Sequence, residues 1–139
     1  KSGTHGWNNL HEAILEEKDP EKQSLLRKQS VLSDYYLGSV HGFSQTGEFV
    51  IASNTGSQLP HIVFTSPNLI FVVSTQKIVP TLADALRRLE EHVIPLEDQR
   101  ILQLYGSHTA PNKILIFKGE SQSIGRKVSV IFVNEILGF

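Results

Sequence analysis

Residues 69–73 (Leu-Ile-Phe-Val-Val, LIFVV) form an unbroken apolar run, and this run decides the fold class. A strand without polar alternation is typical of a parallel sheet that helices cover on both faces. The segment 81–93 (TLADALRRLEEHV) follows with helical spacing of five apolar side chains: Leu82, Ala85, Leu86, Leu89 and Val93. Thr81 caps this helix, and Asp84 takes the capping-box position three residues later. A buried strand followed by an amphipathic helix predicts an α/β protein.

The residues before this strand predict helices and then a hairpin. Asp19 is placed to cap a helix that begins at Pro20, because proline is favoured at the first helical position. Segments 39–44 (SVHGFS) and 48–52 (EFVIA) flank the glycine-containing connection 45–47, which predicts a β-hairpin. The chain therefore changes from helical to strand periodicity before the buried strand.

The residues after the amphipathic helix predict one more helix and two strands. Pro95 interrupts the helical pattern, and a further helical piece ends at Gly106. Segments 114–117 and 128–133 are apolar closing strands joined by a polar loop. This order predicts a single α/β domain over residues 1–139, a three-layer sandwich with a mixed, mainly parallel sheet.

Composition excludes several classes of function. The 139 residues carry 13 basic and 14 acidic side chains, so a net charge of −1 gives no reason to expect nucleic acid or an anionic membrane as a partner. No apolar run reaches the roughly 20 residues that span a bilayer, and residues 1–10 lack the apolar segment of a signal peptide, which predicts a cytoplasmic protein. The absence of cysteine excludes disulfides, thiol catalysis and a cysteine-ligated cluster in these residues.

A run of small polar residues follows the second hairpin strand. It consists of Ser53, Asn54, Thr55, Gly56, Ser57 and Gln58, and a short helix from Leu59 is predicted to follow. A loop that leads through glycine and serine into a helix start presents free backbone N–H groups, which can bind a phosphate or a carboxylate. The alternative is a plain turn whose serine or threonine caps the helix. Both interpretations remain open from the residues alone.

Two side chains near this loop are candidates for chemistry. His41 lies two residues from Ser39 on the same strand face, where it could act as a general base or as a ligand-binding donor, or simply bond to backbone. Lys77 comes just after the buried strand, at the edge where ligands of open α/β sheets collect, and could neutralise a carboxylate or phosphate. The alternative for Lys77 is a solvated loop residue. Lys113 and Arg126 begin strands and are interpreted as structural charges.

No metal or nucleophile motif is evident. The six histidines show no spacing typical of metal ligands, so no metal site is predicted. Neither Ser39 nor Ser57 lies in a nucleophile elbow. The residues by themselves therefore point to an anion-binding loop with lysine and histidine helpers, and not to a particular reaction.

Several longer segments carry a family resemblance. They read SVHGFSQTGEFVIASNTGSQLP (39–60), TQKIVPTLADALRRLEEHVIPLED (75–98), NKILIF (112–117) and GRKVSVIFVNEILGF (125–139). In order and spacing they resemble the LUD domain family, from about residue 34 to the end. Family members usually carry further N-terminal helices and a strand, so the resemblance implies that this domain lacks its N-terminal portion.

The resemblance implies a fold similar to that of sugar-phosphate isomerases and CoA transferases. It also implies a link to the oxidation of lactate to pyruvate, together with iron–sulfur and oxidoreductase-type partner subunits. The family-typical positions are His41, the Gly56–Gln58 segment, Lys77 and Lys113.

Three functions follow from the residues and the resemblance together. The first is a subunit or accessory of lactate-type organic-acid oxidation, which holds a small anionic metabolite at residues 53–58 with Lys77 as counter-charge, the Gly56 and Ser57 amides polarising the anion. The second is a non-catalytic scaffold that docks an iron–sulfur redox partner. The third is an isomerase or a CoA transferase-like enzyme, for which Glu48 is the one glutamate near the predicted site. No cofactor is predicted from the residues.

Overall fold

The computed structural model describes residues 6–139, in which the predicted helices and strands occur in order, together with two strands that the sequence did not predict, at Tyr35–Gly38 and Ile78–Val79. The helices are α1 (Leu10–Glu16), α2 (Pro20–Gln29), α3 (Leu82–Arg88) and α4 (Ile94–Tyr105). The strands are β1 (Tyr35–Gly38), β2 (Gly42–Ser44), β3 (Phe49–Ser53), β4 (Asn68–Ser74), β5 (Ile78–Val79), β6 (Lys113–Phe117) and β7 (Lys127–Val133). Short 3-10 or π turns connect them at Ser30–Leu32, His61–Thr65, Thr75–Lys77, Leu89–Val93 and Gln122–Ile124.

The strands form two sheets. In the first, β4 lies between β1 and β7 and runs parallel to both. The second has the order β5-β2-β3-β6, in which β5 is parallel to β2, and β6 is antiparallel to β3. Strands β2 and β3 form the predicted antiparallel hairpin, but β2 begins at Gly42, so the prediction that Ser39 and His41 lie on this strand is wrong. The α/β class with mixed, mostly parallel pairing is confirmed. The structure adds that the two closing strands, β6 and β7, belong to different sheets.

Strand β3 belongs to the second sheet, which packs against the first sheet on one face and against helical residues on the other. Phe49 and Ile51 project from one face of β3 towards the first sheet, where the Phe49 ring centroid lies 4.8 Å from that of Phe71. Val50 projects from the opposite face and packs against Ala85 and against two further helical side chains, Leu89 and Val93. Each fully buried aliphatic or aromatic side chain of this size contributes about 1.5–3 kcal/mol. The layers are therefore sheet, sheet and helix.

Strand β4 is buried more completely on one face than on the other. Leu69, Phe71 and Val73 have no exposed surface, because they pack between the two sheets. Ile70 and Val72 alternate with them and are only half-buried. The prediction of full burial on both faces is therefore wrong for the face that carries these two residues.

A continuous helical segment brings charged side chains to the sheet edge. The Thr81–Asp84 capping box is confirmed, since both of its hydrogen bonds are present at the start of α3. The predicted interruption at Pro95 takes the form of a π turn over Leu89–Val93, after which the chain continues as α4. Proline has no N–H to donate, so a widened turn just before it is a common accommodation. The helix ends at Gly106 in the left-handed conformation (φ 67°), as predicted.

Candidate functional site

A cavity of about 330 Å³ lies at the carboxyl ends of all three parallel strands of the first sheet. We call it the lysine cavity, and its walls are formed by Ser39, Val40, His41, Lys77, Glu97, Arg100, Gly138 and Phe139. The first three residues follow β1, Lys77 follows β4, and the last two follow β7. Crevices at this edge are where open α/β sheets bind their ligands.

Lys77 is buried, and the described part of the chain supplies no counter-ion for it. The residue is only 5 % exposed, and its Nζ donates a hydrogen bond of 3.4 Å to Ser39 Oγ. Among residues 6–139 no carboxylate lies within ion-pair distance of it. Burial, and then the charge of Arg88, lower the pKa of the Lys77 amine. An unpaired buried ammonium is costly, so this cavity is suited to an anion. The alternative of a solvated loop residue is wrong.

The other charges around the lysine cavity leave it cationic. Arg100 holds the Glu97 carboxylate with two hydrogen bonds of 2.7 Å, and these bonds lower the pKa of Glu97. Arg88 donates from Nη1 to the main-chain oxygen of His41 at 2.7 Å. Because Arg100 already compensates Glu97, the charge of Lys77 remains uncompensated by the described side chains.

The His41 ring accepts a hydrogen bond from the main chain. Its Nδ1 accepts the Ala52 N–H at 3.0 Å, which assigns the neutral tautomer with the proton on Nε2. Burial, assisted by the charge of Lys77, lowers the pKa of His41 to about 4. The ring therefore carries no charge at neutral pH, and its one unprotonated nitrogen is already occupied. The interpretation of His41 as a residue bonded to backbone is therefore confirmed, while donation to a ligand stays a prediction.

A second cavity adjoins the first. We call it the loop cavity; its volume is about 320 Å³, and it shares His41 and Glu97 with the lysine cavity. Its remaining walls are Ala52, Ser53, Asn54, Thr55, Gln58, Leu89, Val93, Ile94, Thr109, Ala110 and Pro111. Four of the six predicted loop residues therefore line a cavity, whereas Gly56 and Ser57 line neither. Lys77 lines the lysine cavity only, and these four loop residues line the loop cavity only.

The main-chain amides at the centre of the loop are already engaged. Gly56 N donates to Ser53 Oγ at 2.9 Å, and Ser57 N makes a longer bond of 3.4 Å to Thr55 Oγ1. The predicted polarisation of an anion by these two amides is therefore wrong, because their donors are used inside the turn. Ligand binding by the loop side chains stays a prediction.

Gly56 is required by a lysine side chain that packs over it. Its φ is +82°, and a Cβ atom there would lie 2.7 Å from Lys113 Cδ. Lys113 Nζ donates to Asn54 O at 3.1 Å. The Asn54 side chain is held in turn by Asn112 at 2.7 Å and Thr109 at 3.1 Å. These contacts tie the loop to the start of β6, so the structural interpretation of Lys113 is supported.

Two other charged residues lie outside the cavities. Glu48 accepts hydrogen bonds from Thr46 and Ser44 at the tip of the hairpin and lines neither cavity. The CoA transferase-like hypothesis therefore has no support from Glu48, the one glutamate that was considered for it. The Arg126 side chain is only 5 % exposed; it donates to Glu120 and to four main-chain oxygens, those of His61, Ile62, Val63 and Ser66. Arg126 therefore pairs main-chain oxygens of the His61–Thr65 turn, which supports its interpretation as a structural charge.

Residues 6–139 contain neither a candidate metal site nor a helix that could span a membrane. Within that range no three or more histidine, cysteine or carboxylate side chains come together as a metal site; His5 lies outside the described residues. In the same part of the chain, the helices are too short or too polar to cross a bilayer.

Sequence reasoning missed the charged residues that the helices supply to this site. Glu97 and Arg100 are spaced i, i+3, which places them on one helix face and predicts their pairing. The direction of that face depends on how the helix packs on β3, which no local pattern specifies. The same is true of Arg88, whose partner His41 is 47 residues away.

The architecture and the cavity together define an α/β domain with a cationic pocket at the carboxyl ends of parallel strands. A family model, the LUD domain, matches residues 1–125, so the chain belongs to the LUD domain family. This domain is associated with lactate-utilisation proteins. Neither the curated proteins nor the solved structures include a match to the chain.

Proposed function

We propose that the chain binds a small carboxylate of the lactate type in the lysine cavity, as a subunit or accessory in the oxidation of lactate to pyruvate. The observation that carries this proposal is the burial of Lys77, whose Nζ has a hydroxyl as its one hydrogen-bond partner among residues 6–139. A carboxylate in the cavity would supply the missing negative charge. The proposed ligand site is therefore the lysine cavity at the carboxyl ends of the parallel strands, and not the amides of the loop.

The donors around the cavity suit a hydroxy or oxo acid. The ammonium of Lys77 and the Ser39 hydroxyl can bind the carboxylate, since both can donate. His41 adds a neutral N–H donor, which suits a hydroxyl or carbonyl oxygen and adds no charge. The pocket is small, as expected for a metabolite of a few carbon atoms.

The family association supports the lactate assignment, and composition supports a partner for the electron transfer. The LUD domain is associated with lactate utilisation, and these 139 residues contain no cysteine to ligate an iron–sulfur cluster. The proposal therefore includes an iron–sulfur oxidoreductase subunit that accepts the electrons, while this domain holds the anion.

Thermal unfolding with and without small anions tests the proposal. Lactate, pyruvate and oxamate are expected to raise the Tm of the wild type, because a ligand at 100 times its Kd stabilises the folded state by about 2.7 kcal/mol. Lys77→Met should abolish this shift, whereas Lys28→Met, at an exposed position on α2, should retain it. If no carboxylate stabilises the wild type, or if the shift survives in Lys77→Met, the proposal is wrong.

A further inference from the structure

We propose that Lys77 also acts as a nucleophilic amine that forms an imine with 2-oxo carboxylic acids bound in the lysine cavity. This inference rests on the proposed function, since it requires that small carboxylates enter the cavity. It goes beyond that function because it assigns a covalent reaction to a residue that electrostatic binding would use only as a charge.

The surroundings of Nζ favour the reactive form of the amine. Nζ lies 3.4 Å from Ser39 Oγ, and a Cβ on Gly138 would be 3.5 Å from it. A carboxylate neighbour would hold the proton on the amine, and none is within ion-pair distance among residues 6–139. Desolvation beside a second cation, here Arg88, is a recognised way to activate a lysine, and both effects lower the pKa of Lys77.

The same cavity offers a partner for the carboxylate of a 2-oxo acid. Arg100 lines the cavity and uses Nε and Nη2 to bind Glu97, while its Nη1 makes no hydrogen bond within the described residues. In a 2-oxo acid that reacts at Lys77, the carboxylate would bind this guanidinium instead of the ammonium, so that the adjacent carbonyl carbon can meet the free amine. A 2-oxo acid is the simplest compound that carries both groups on neighbouring carbons.

The proposed step balances without an added oxidant or reductant. The lone pair of the free Nζ attacks the carbonyl carbon and forms a C–N bond, while the oxygen takes a proton from the attacking nitrogen. The resulting hydroxyl leaves as water with a second proton from solvent, and the product is a protonated imine. The Nε2–H of His41 can hydrogen-bond the carbonyl oxygen, but the neutral ring gives up no proton.

Reductive trapping on the whole chain tests this step. The wild type is incubated with pyruvate and cyanoborohydride, and the adduct is located by intact mass and peptide mapping. One adduct is expected, on Lys77. Lactate has no carbonyl and should give none. Lys77→Arg keeps the charge but cannot form an imine, so it should lose the adduct. Lys28→Arg is the matched control and should retain the adduct.

The outcomes separate this inference from the proposed function. If pyruvate stabilises the wild type but no adduct forms on Lys77, or adducts spread evenly over exposed lysines, the inference is wrong and anion binding stands. If neither lactate nor pyruvate stabilises the protein, the proposed function itself fails. If Lys77→Arg does not fold, peptide mapping of the wild type still tests the inference, because the adduct must lie on Lys77.

Discussion

The half-buried imidazole of His41 should make the protein less stable in mild acid. Its Nδ1 accepts the Ala52 amide, and its pKa in the folded chain is about 4. In the unfolded chain the ordinary value of 6.5 applies. Between these two values the unfolded chain binds the proton and the folded chain does not. Stability is therefore complete above pH 6.5 and falls as the pH drops towards 4.

The size of this loss follows from the two pKa values. Each unit of difference corresponds to about 1.4 kcal/mol, so a pKa moved from 6.5 to about 4 corresponds to a loss of about 3 kcal/mol. The substitution His41→Asn removes the titration but keeps an acceptor, Oδ1, near the position of Nδ1. At pH 7 this variant should therefore lose much less stability than a substitution that removes the acceptor.

Urea unfolding followed by circular dichroism at intervals from pH 7 to 4 measures the effect. The wild type should lose about 3 kcal/mol more than His41→Asn over this range. Parallel stability curves for the two proteins would refute the reasoning, because they would mean that His41 titrates alike in the folded and unfolded chains. As a second measurement, Lys77→Met should raise the pKa of His41, read by NMR titration, since the charge of Lys77 is the second cause of its depression after burial.

Three predictions concern the free energy of unfolding and residues that stabilise turns and a helix end around the site. Gly56→Ala should cost about 1–2 kcal/mol in urea unfolding, because φ is +82° and the new methyl meets a lysine side chain; Gly119→Ala, in open space, should be near neutral. Arg126→Met should cost about 3 kcal/mol by leaving buried oxygens and a carboxylate unpaired, whereas Arg87→Met, at an exposed ion pair, should change the Tm little. Thr81→Ala should cost about 1 kcal/mol through the lost cap. Equal losses in a variant and its control, or an unchanged Tm for Thr81→Ala, would contradict these assignments.

The sequence by itself determined the local structure and the family. Asp19, Thr81 and Gly106 mark helix ends correctly, because each acts on backbone groups within four residues of itself. The hairpin was equally predictable, since a short glycine-containing connection joins its strands. Lys77 was placed at the right edge of the sheet, because a residue just after a buried strand must lie at the carboxyl end of that strand.

The tertiary structure alone decided the site. Successive strands β6 and β7 joined different sheets, and residues that follow three separate strands came together around one amine, with Ser39 and Lys77 38 positions apart. Packing also decided that the Lys77 amine lies beside a hydroxyl and has no counter-charge among residues 6–139. Such pairings depend on the orientation of elements far apart in the chain. Local spacing fixes the face on which a side chain lies, but not what that face meets.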